Sequence, residues 1–320
     1  MNRRVDNRKP TLEFLPFELP PLPTSSLYSL PPIGVGTGFV ESLSSYMARL
    51  SWAHRITPGQ LFSEHFLPLT NELPPESRIG PPILTFGRYN SFFNGTAKPA
   101  KFVTAALERL TLRTDLISLS LLRWRNTISG LSLSKKRRAW CAQCFSDWRQ
   151  SSKVIFEPLL WTIKLVTVCG VHNLPLVERC PGCGRRSAPL ERRFKLGHCA
   201  KCNEWLGRPS LLTSGTYSST GRLQPDYISQ QVLSALEVSH VVADQMTIAN
   251  RLEAILKDRG WSGVAPFTRA KGIHEGSFFE VKYGHRGVPL KTLLRLCAAV
   301  EIDVKQMLSA EISTVDSDSN

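Results

Sequence analysis

The apolar positions of this chain switch between helical periodicity and none, and the switches outline its organisation. From Gly38 onward Phe39, Leu43, Tyr46, Met47 and Leu50 recur at helical spacing, and Glu41 stands early, where a helix dipole favours an anion. Thr57-Pro58 fits an N-cap and first helical position, opening a short helix through Gln60, Leu61 and Phe62. Residues 70–100, rich in Pro, Gly and Asn, read as a connection with short helical turns, and helical segments are expected over 102–110 and 116–122. Helical periodicity resumes over 228–242 and 246–256, and 260–308 reads as several short helices separated by Gly272, Gly276, Gly284 and Gly287.

The stretches between these segments carry different signals. Prolines 10, 16, 20, 21, 23, 31 and 32, interleaved with Leu and Phe, exclude a helix and predict an extended arm over residues 1–36, lying on its own protein or on a partner. Residues 213–219 are a Ser/Thr/Gly linker, and 314–320 are polar, acidic and expected to fray. The expected chain is mainly α: the arm, a helical domain over 37–138, a double metal-binding domain over 139–210, a linker over 211–225, a C-terminal helical domain over 226–312 and a tail over 313–320.

Charge sharpens this picture. The net charge is +14, and residues 101–210 hold 20 Lys and Arg against 7 Asp and Glu, so nearly all of the excess sits with the cysteines. Clustered cations of this kind bind phosphates by displacing condensed counterions, so a polyanionic partner is expected. Arg137, Arg138, Arg185, Arg186, Arg192 and Arg193 are the candidate contacts; the same residues also suit a rim that grips an acidic protein surface, or a merely solubilising face. No run approaches the roughly 18–20 apolar residues of a membrane span, and Met1-Asn2-Arg3-Arg4 leads into no apolar signal core, so the expected place is the bacterial cytoplasm.

In a reducing cytosol, cysteine pairs two residues apart point to metal or redox chemistry rather than disulfides. Seven of the eight cysteines fall in four such pairs: Cys141/Cys144, Cys169/His172, Cys180/Cys183 and Cys199/Cys202. A two-residue gap lets two soft donors on one tight turn reach the same ion, and four tandem pairs predict two structural Zn2+ sites. Taken in order, Cys141, Cys144, Cys169 and His172 hold the first ion, and Cys180, Cys183, Cys199 and Cys202 the second; an interleaved pairing is the alternative. Gly170 and Gly182-Cys183-Gly184 supply backbone freedom to the knuckles. His198 is either a bystander or a substitute ligand, and Cys297 falls on an apolar helix as a buried thiol. Thiol–disulfide exchange is the competing chemistry, but it uses one reactive pair in a βαβ setting, which is missing here.

These residues resemble the TniQ family, which includes the TnsD-type target selectors of transposons. The resemblance is carried by Glu41-Ser42-Leu43-Ser44-Ser45-Tyr46 with Arg49-Leu50, by Ala106-Leu107-Glu108-Arg109-Leu110-Thr111, by Ala139-Trp140-Cys141-Ala142-Gln143-Cys144, and by Trp161, Leu165-Val166-Thr167-Val168-Cys169, His172 and Cys180-Pro181-Gly182-Cys183-Gly184. It implies an N-terminal helix-turn-helix domain followed by zinc-knuckle modules, no enzymatic activity, and a role linking a target-recognition device to a TnsC-like AAA+ ATPase. That device is DNA read directly or a CRISPR RNA-guided effector.

The C-terminal third resembles Cro/repressor-type helix-turn-helix proteins through Ala270-Lys271-Gly272-Ile273, Phe278-Phe279, Gly284-His285-Arg286, Pro289 and Leu293-Leu294-Arg295-Leu296. The resemblance makes Gly272 the turn and 274–282 the helix that enters a DNA groove, with Lys271, His274, Ser277, Lys282, His285 and Arg286 as contacts. Phe278, Phe279, Glu275 and Glu280 make that helix less basic than a typical reader, which suits docking on protein instead. Three functions follow: a transposition adaptor, a stand-alone zinc-containing transcription regulator, or a hydrolase or nuclease. The third lacks any paired acidic cluster or nucleophile with its base and orienting group. Self-association is compatible with the first two.

Overall fold

The computed structural model describes residues 24–77, 92–208, 223–238, 242–274, 276–283 and 287–309. Residues 1–23 of the arm, the linker 213–219, Gly284, His285, Arg286 and the tail 313–320 lie outside the described residues.

The first helix, α1 (Leu43–Ala53), begins later than the apolar spacing suggests, because Ser42 takes the N-cap and accepts from the Ser45 amide. Phe39 and Glu41 therefore precede the helix, and Glu41 answers a charge rather than the dipole. Its buried carboxylate accepts from Arg49 Nε and the Ser45 hydroxyl, each at 2.8 Å. The second helix, α2 (Pro58–Gln60), opens on a capping box between Thr57 and Gln60 and runs on through a π turn, Leu61–Phe66, and a 3-10 turn, Leu67–Asn71. The third, α3 (Lys98–Thr111), carries Pro99 in its first turn and stops where Leu112 turns left-handed, at φ 55°. The helix expected over 116–122 is instead two 3-10 turns, Leu116–Leu119 and Leu121–Trp124. Ser120 breaks it: its backbone is extended and its hydroxyl accepts from the Leu122 amide.

The described part of the arm lies on its own protein. Leu27 is buried and its amide donates to Leu110 O, while Leu30 O accepts from the Tyr46 hydroxyl and Pro31 O from Arg49. The cysteine-rich region contributes α4 (Ala142–Gln150) and otherwise isolated bridges such as Trp140 with Val177; no extended strand forms among the described residues. Its aromatic side chains supply the apolar mass: Phe156 and Trp161 stack on Trp148, Phe145 packs edge-on against Trp161, and Trp140 is buried in the same core, which is continuous with α1 to α3.

Six further helices close the chain: α5 (Pro225–Leu236), α6 (Gln245–Asp258), α7 (Val264–Ala270), α8 (Gly276–Tyr283), α9 (Leu290–Ala299) and α10 (Val304–Leu308). Gly272, at φ 61°, sits in the turn between α7 and α8, but Gly276 is no breaker and starts α8. Val242 is likewise not helical; it bridges Ser309. Among the described residues no helix is long and apolar enough to cross a membrane.

Helix α5 lies directly on the cysteine-rich region. Ser229 Oγ donates to Val168 O and Gln230 Nε2 to Gly170 O, each at 2.9 Å. Leu233 wedges between two glycines: a Cβ on Gly38 would lie 2.5 Å from the Leu233 carbonyl oxygen, and one on Gly170 would lie 2.2 Å from Leu233 Cδ1. The first obstacle is backbone and cannot swing aside. Gly38→Ala is therefore expected to push α5 off and destabilise the protein by about 1–3 kcal/mol. Denaturant midpoints measure this, and an unchanged midpoint would refute the wedge.

Candidate metal centres and the basic surface around them

The structure gathers the eight expected donors into two groups in sequence order, each with its ligand atoms within 4.8 Å of one another. In the first, Cys141 is the N-cap residue of α4 and Cys144 lies one turn on, so this pair rides on a helix start rather than on a knuckle. Cys169 and His172 face them from a knuckle. Cys144 Sγ is 3.6 Å from Cys169 Sγ, and His172 Nδ1 is 3.5, 3.3 and 3.8 Å from the sulfurs of Cys141, Cys144 and Cys169. In the second, Cys180 and Cys202 are 3.6 Å apart, and Cys183 and Cys199 3.7 Å. His198 belongs to neither group; it packs edge-on against Trp205.

Three of the four pairs share one backbone design. In each, the amide four residues after the first cysteine donates back to that cysteine's carbonyl: Asn173 to Cys169, Gly184 to Cys180 and Asn203 to Cys199. Each of these donors is left-handed, at φ 51°, 67° and 58°. Asn and Gly tolerate that region best, so the residue type follows from the turn. The needed freedom thus sits at Gly184 and at two asparagines, and not at Gly170 or Gly182. Gly170 is instead small because Leu233 presses on it.

The donor geometry fits a tetrahedral ion. Sulfurs about 2.3 Å and a nitrogen about 2.0–2.1 Å from one centre stand roughly 3.8 Å apart sulfur to sulfur and roughly 3.6 Å sulfur to nitrogen. The observed separations match those edges and far exceed the roughly 2.05 Å of a disulfide. Charge argues likewise. The hydrogen bonds Cys144 shares with Cys141 and Cys169, together with burial, push its thiol well above its ordinary value, while the hydrogen bonds Cys169 shares with Cys141 and Cys144 pull its thiol down. Three packed thiolates repel one another unless a cation sits among them.

Spacing does not reveal how the histidine is aimed. His172 Nε2 lies 2.9 Å from Asp147 Oδ2, and Gln143 Nε2 holds the other carboxylate oxygen at 2.7 Å. A carboxylate on the far ring nitrogen leaves Nδ1 free to ligate and fixes the ring. Asp147→Ala is expected to weaken the first site about 10–100-fold and leave the second unchanged. Competition with a chromophoric chelator reads both, and equal loss at the two sites would rule this role out.

The basic run Lys135-Lys136-Arg137-Arg138 splits between inside and outside. Arg138, expected on the surface, is buried: it pairs with Glu157, lies over the rings of Trp140 and Phe194, and donates to His198 O. A guanidinium 1% exposed cannot reach a phosphate, so Arg138 is structural. Lys135 is also buried, its ammonium held by Trp161 O and Val166 O and pushed down to about 8 by desolvation. Arg137, Arg192 and Arg193 are exposed and form no ion pair with a carboxylate among the described residues. Arg185 and Arg186 are exposed too, beside Glu191 and Glu178. Surface pairs of this kind are worth little and open readily to a phosphate.

In the C-terminal helices, Lys271 and His274 are exposed, and His274 Nδ1 accepts from the Gly276 amide at the start of α8. Phe278 and Val281 turn inward, whereas Phe279 and Tyr283 stack on each other on the open face. Lys282 is held by Glu253 at 2.6 Å. The side chain of Ser277, with His285 and Arg286, lies outside the described residues.

Residues 32–176, from the end of the arm through the first metal cluster, match the family model described as TniQ. No curated protein matches the chain.

Proposed function

Because residues 32–176 of this chain match the TniQ family model, we propose that it is a non-catalytic adaptor that helps choose where a transposon inserts. TniQ domains go with transposition-associated target selection. The finer reading is a bridge: one side engages the target, as DNA or as a CRISPR RNA-guided effector, and the other engages a TnsC-like AAA+ ATPase, all in the bacterial cytoplasm. The observation that carries it is the family match, which runs from the end of the arm through the first cysteine/histidine cluster, a cluster packed against α1 and α5.

Two Zn2+ ions fit the donor sets, one on Cys141, Cys144, Cys169 and His172 and one on Cys180, Cys183, Cys199 and Cys202. Four protein donors at each make the sites structural, with no coordination position left for a reacting water. The ions supply cross-links; the protein's own residues supply the contacts. Arg137, Arg185, Arg186, Arg192 and Arg193 would take DNA phosphates, and Lys271, His274, Ser277, Lys282, His285 and Arg286 would meet DNA from the C-terminal helices. Of these, Lys282 must first leave Glu253.

The test mixes the metal-loaded protein with a TnsC-like AAA+ ATPase, nucleotide and DNA. Co-sedimentation that needs ATP is expected; footprinting of one operator by the protein alone would favour a transcription regulator. Replacing Arg137 and Arg193 by Ala should weaken binding to all DNA sequences alike and reduce the slope of log affinity against log salt by about 2. An unchanged slope would remove these arginines from the interface.

A further inference from the structure

A cavity of about 370 Å³ opens between the α7–α8 turn and α9. Lys271 and His274 line it from the turn and Arg295 from the helix, and Ala298 and Ala299 of α9 add side chains too small to fill it. No acidic residue is among those that line it. Several cations of the C-terminal helices are answered by the protein itself: Lys282 by Glu253, Lys305 by Glu237, and Arg251 by the carbonyls of Met307 and Ser309. Lys271 and Arg295 are exposed and form no ion pair with a carboxylate among the described residues. Two unpaired cations lining one concavity are held together at a cost that an anion removes.

The histidine adds a donor that does not depend on its charge. His274 Nδ1 accepts from the Gly276 amide at 3.1 Å, which leaves the ring hydrogen on Nε2 when the imidazole is neutral. A Cβ on Gly276 would stand 2.9 Å from that Nδ1, so the glycine gives the ring its place. Ammonium, guanidinium and imidazole donors thus come to one cavity from two elements. Three donors of this kind suit a phosphate group, whose several acceptor oxygens exceed the two of a carboxylate and match the planar fork of an arginine.

We propose that Lys271, His274 and Arg295 form one site for a single phosphate group. Arg295 joins the two residues of the turn only because α9 packs beside them. Whether that phosphate belongs to a nucleic-acid backbone or to a free phosphate ester is decided by the two arms of the test; only the first source rests on the DNA contact proposed above.

The first arm follows the full metal-loaded chain, labelled at its histidine ring carbons, by NMR as inorganic phosphate is added at constant pH and ionic strength. The His274 resonance, assigned from His274→Gln, is expected to shift and saturate, with affinity about tenfold lower in Lys271→Gln and in Arg295→Gln. Lys291→Gln removes an equal charge one turn earlier on α9, outside the cavity, and should leave the affinity unchanged. All three substituted side chains are exposed, so these variants are expected to fold. The second arm measures duplex DNA binding. Replacing Lys271 and Arg295 together should lower the slope of log affinity against log salt by about 1, because the slope counts phosphates and the two cations share one. A saturable phosphate response with an unmoved slope supports the site and assigns it to a free phosphate ester. No saturable shift at His274, a loss in Lys291→Gln equal to that in Arg295→Gln, or a slope lowered by about 2 would each overturn the proposal. The wider DNA reading is judged separately, by the Arg137 and Arg193 variant.

Discussion

Chelating the metals from the purified protein is expected to proceed in two steps and to end in loss of the fold around them. The second group is the more open, with Cys202 exposed and Cys183 half-buried, so its ion should leave first and with modest change. In the first group all three cysteines are buried. They lie in the same core as Phe145, Trp161 and the residues of α1, so loss of that ion is expected to be coupled to opening of the core. Structural zinc contributes on the order of 10–16 kcal/mol of apparent binding free energy near neutral pH, comparable to the whole stability of a domain. Colorimetric zinc release followed in parallel with near-ultraviolet circular dichroism should show a fast phase with little spectral change, then a slow phase that abolishes the aromatic signal. A single phase, or a full aromatic signal after both ions are gone, would show that the metals do not hold the fold.

Removing one partner of the Arg138–Glu157 pair should have the second-largest effect. Both side chains are nearly sealed, at 1% and 6% exposure, and they join separate parts of the chain. The Glu157 amide donates to Ser45 Oγ in α1 and its carbonyl accepts from the Ser42 amide, while Arg138 N donates to Ser187 O beside the second metal group. Arg138→Ala strands a carboxylate, and loss of one member of a buried pair costs about 3–5 kcal/mol. Replacing both by apolar residues of similar size, Arg138→Met with Glu157→Leu, should recover much of that loss.

The pH dependence of the single variant carries a sign. Burial already raises the Glu157 carboxyl above its ordinary value although Arg138 opposes it. Without Arg138 the folded-state value rises further above the unfolded one, so the folded form binds the proton more tightly. The variant's deficit should therefore be smallest in acid and grow as pH rises through that raised value. Urea midpoints of variant and parent across the acid range measure it; a deficit that shrinks with rising pH would contradict the assignment.

The two groups of candidate donors were legible in the sequence because their spacing is local. A gap of two residues places both donors of a pair on one turn whatever surrounds it, and four pairs in tandem leave few ways to share two ions. The helices with strong periodicity, α1, α3 and α6, were legible for the same reason, since an apolar stripe has to face a core. The short turns over 116–124 were not, because Leu116, Leu119, Leu121 and Leu122 are all buried and a run buried on every side carries no period to read.

Tertiary structure decided what the local pattern leaves open. Arg137 and Arg138 are neighbours in one basic run, yet one meets solvent and the other Glu157, because only folding brings a buried carboxylate to one of them. Asp147 acquires its role from a histidine 25 residues away, and Gly38 and Gly170 are small because a leucine of α5 comes to lie against both. Chain composition thus determined which chemistry this protein can hold, and the contacts between distant segments determined which of its charges are structural and which are free to meet a partner. Burial sets that division, and burial belongs to the fold as a whole.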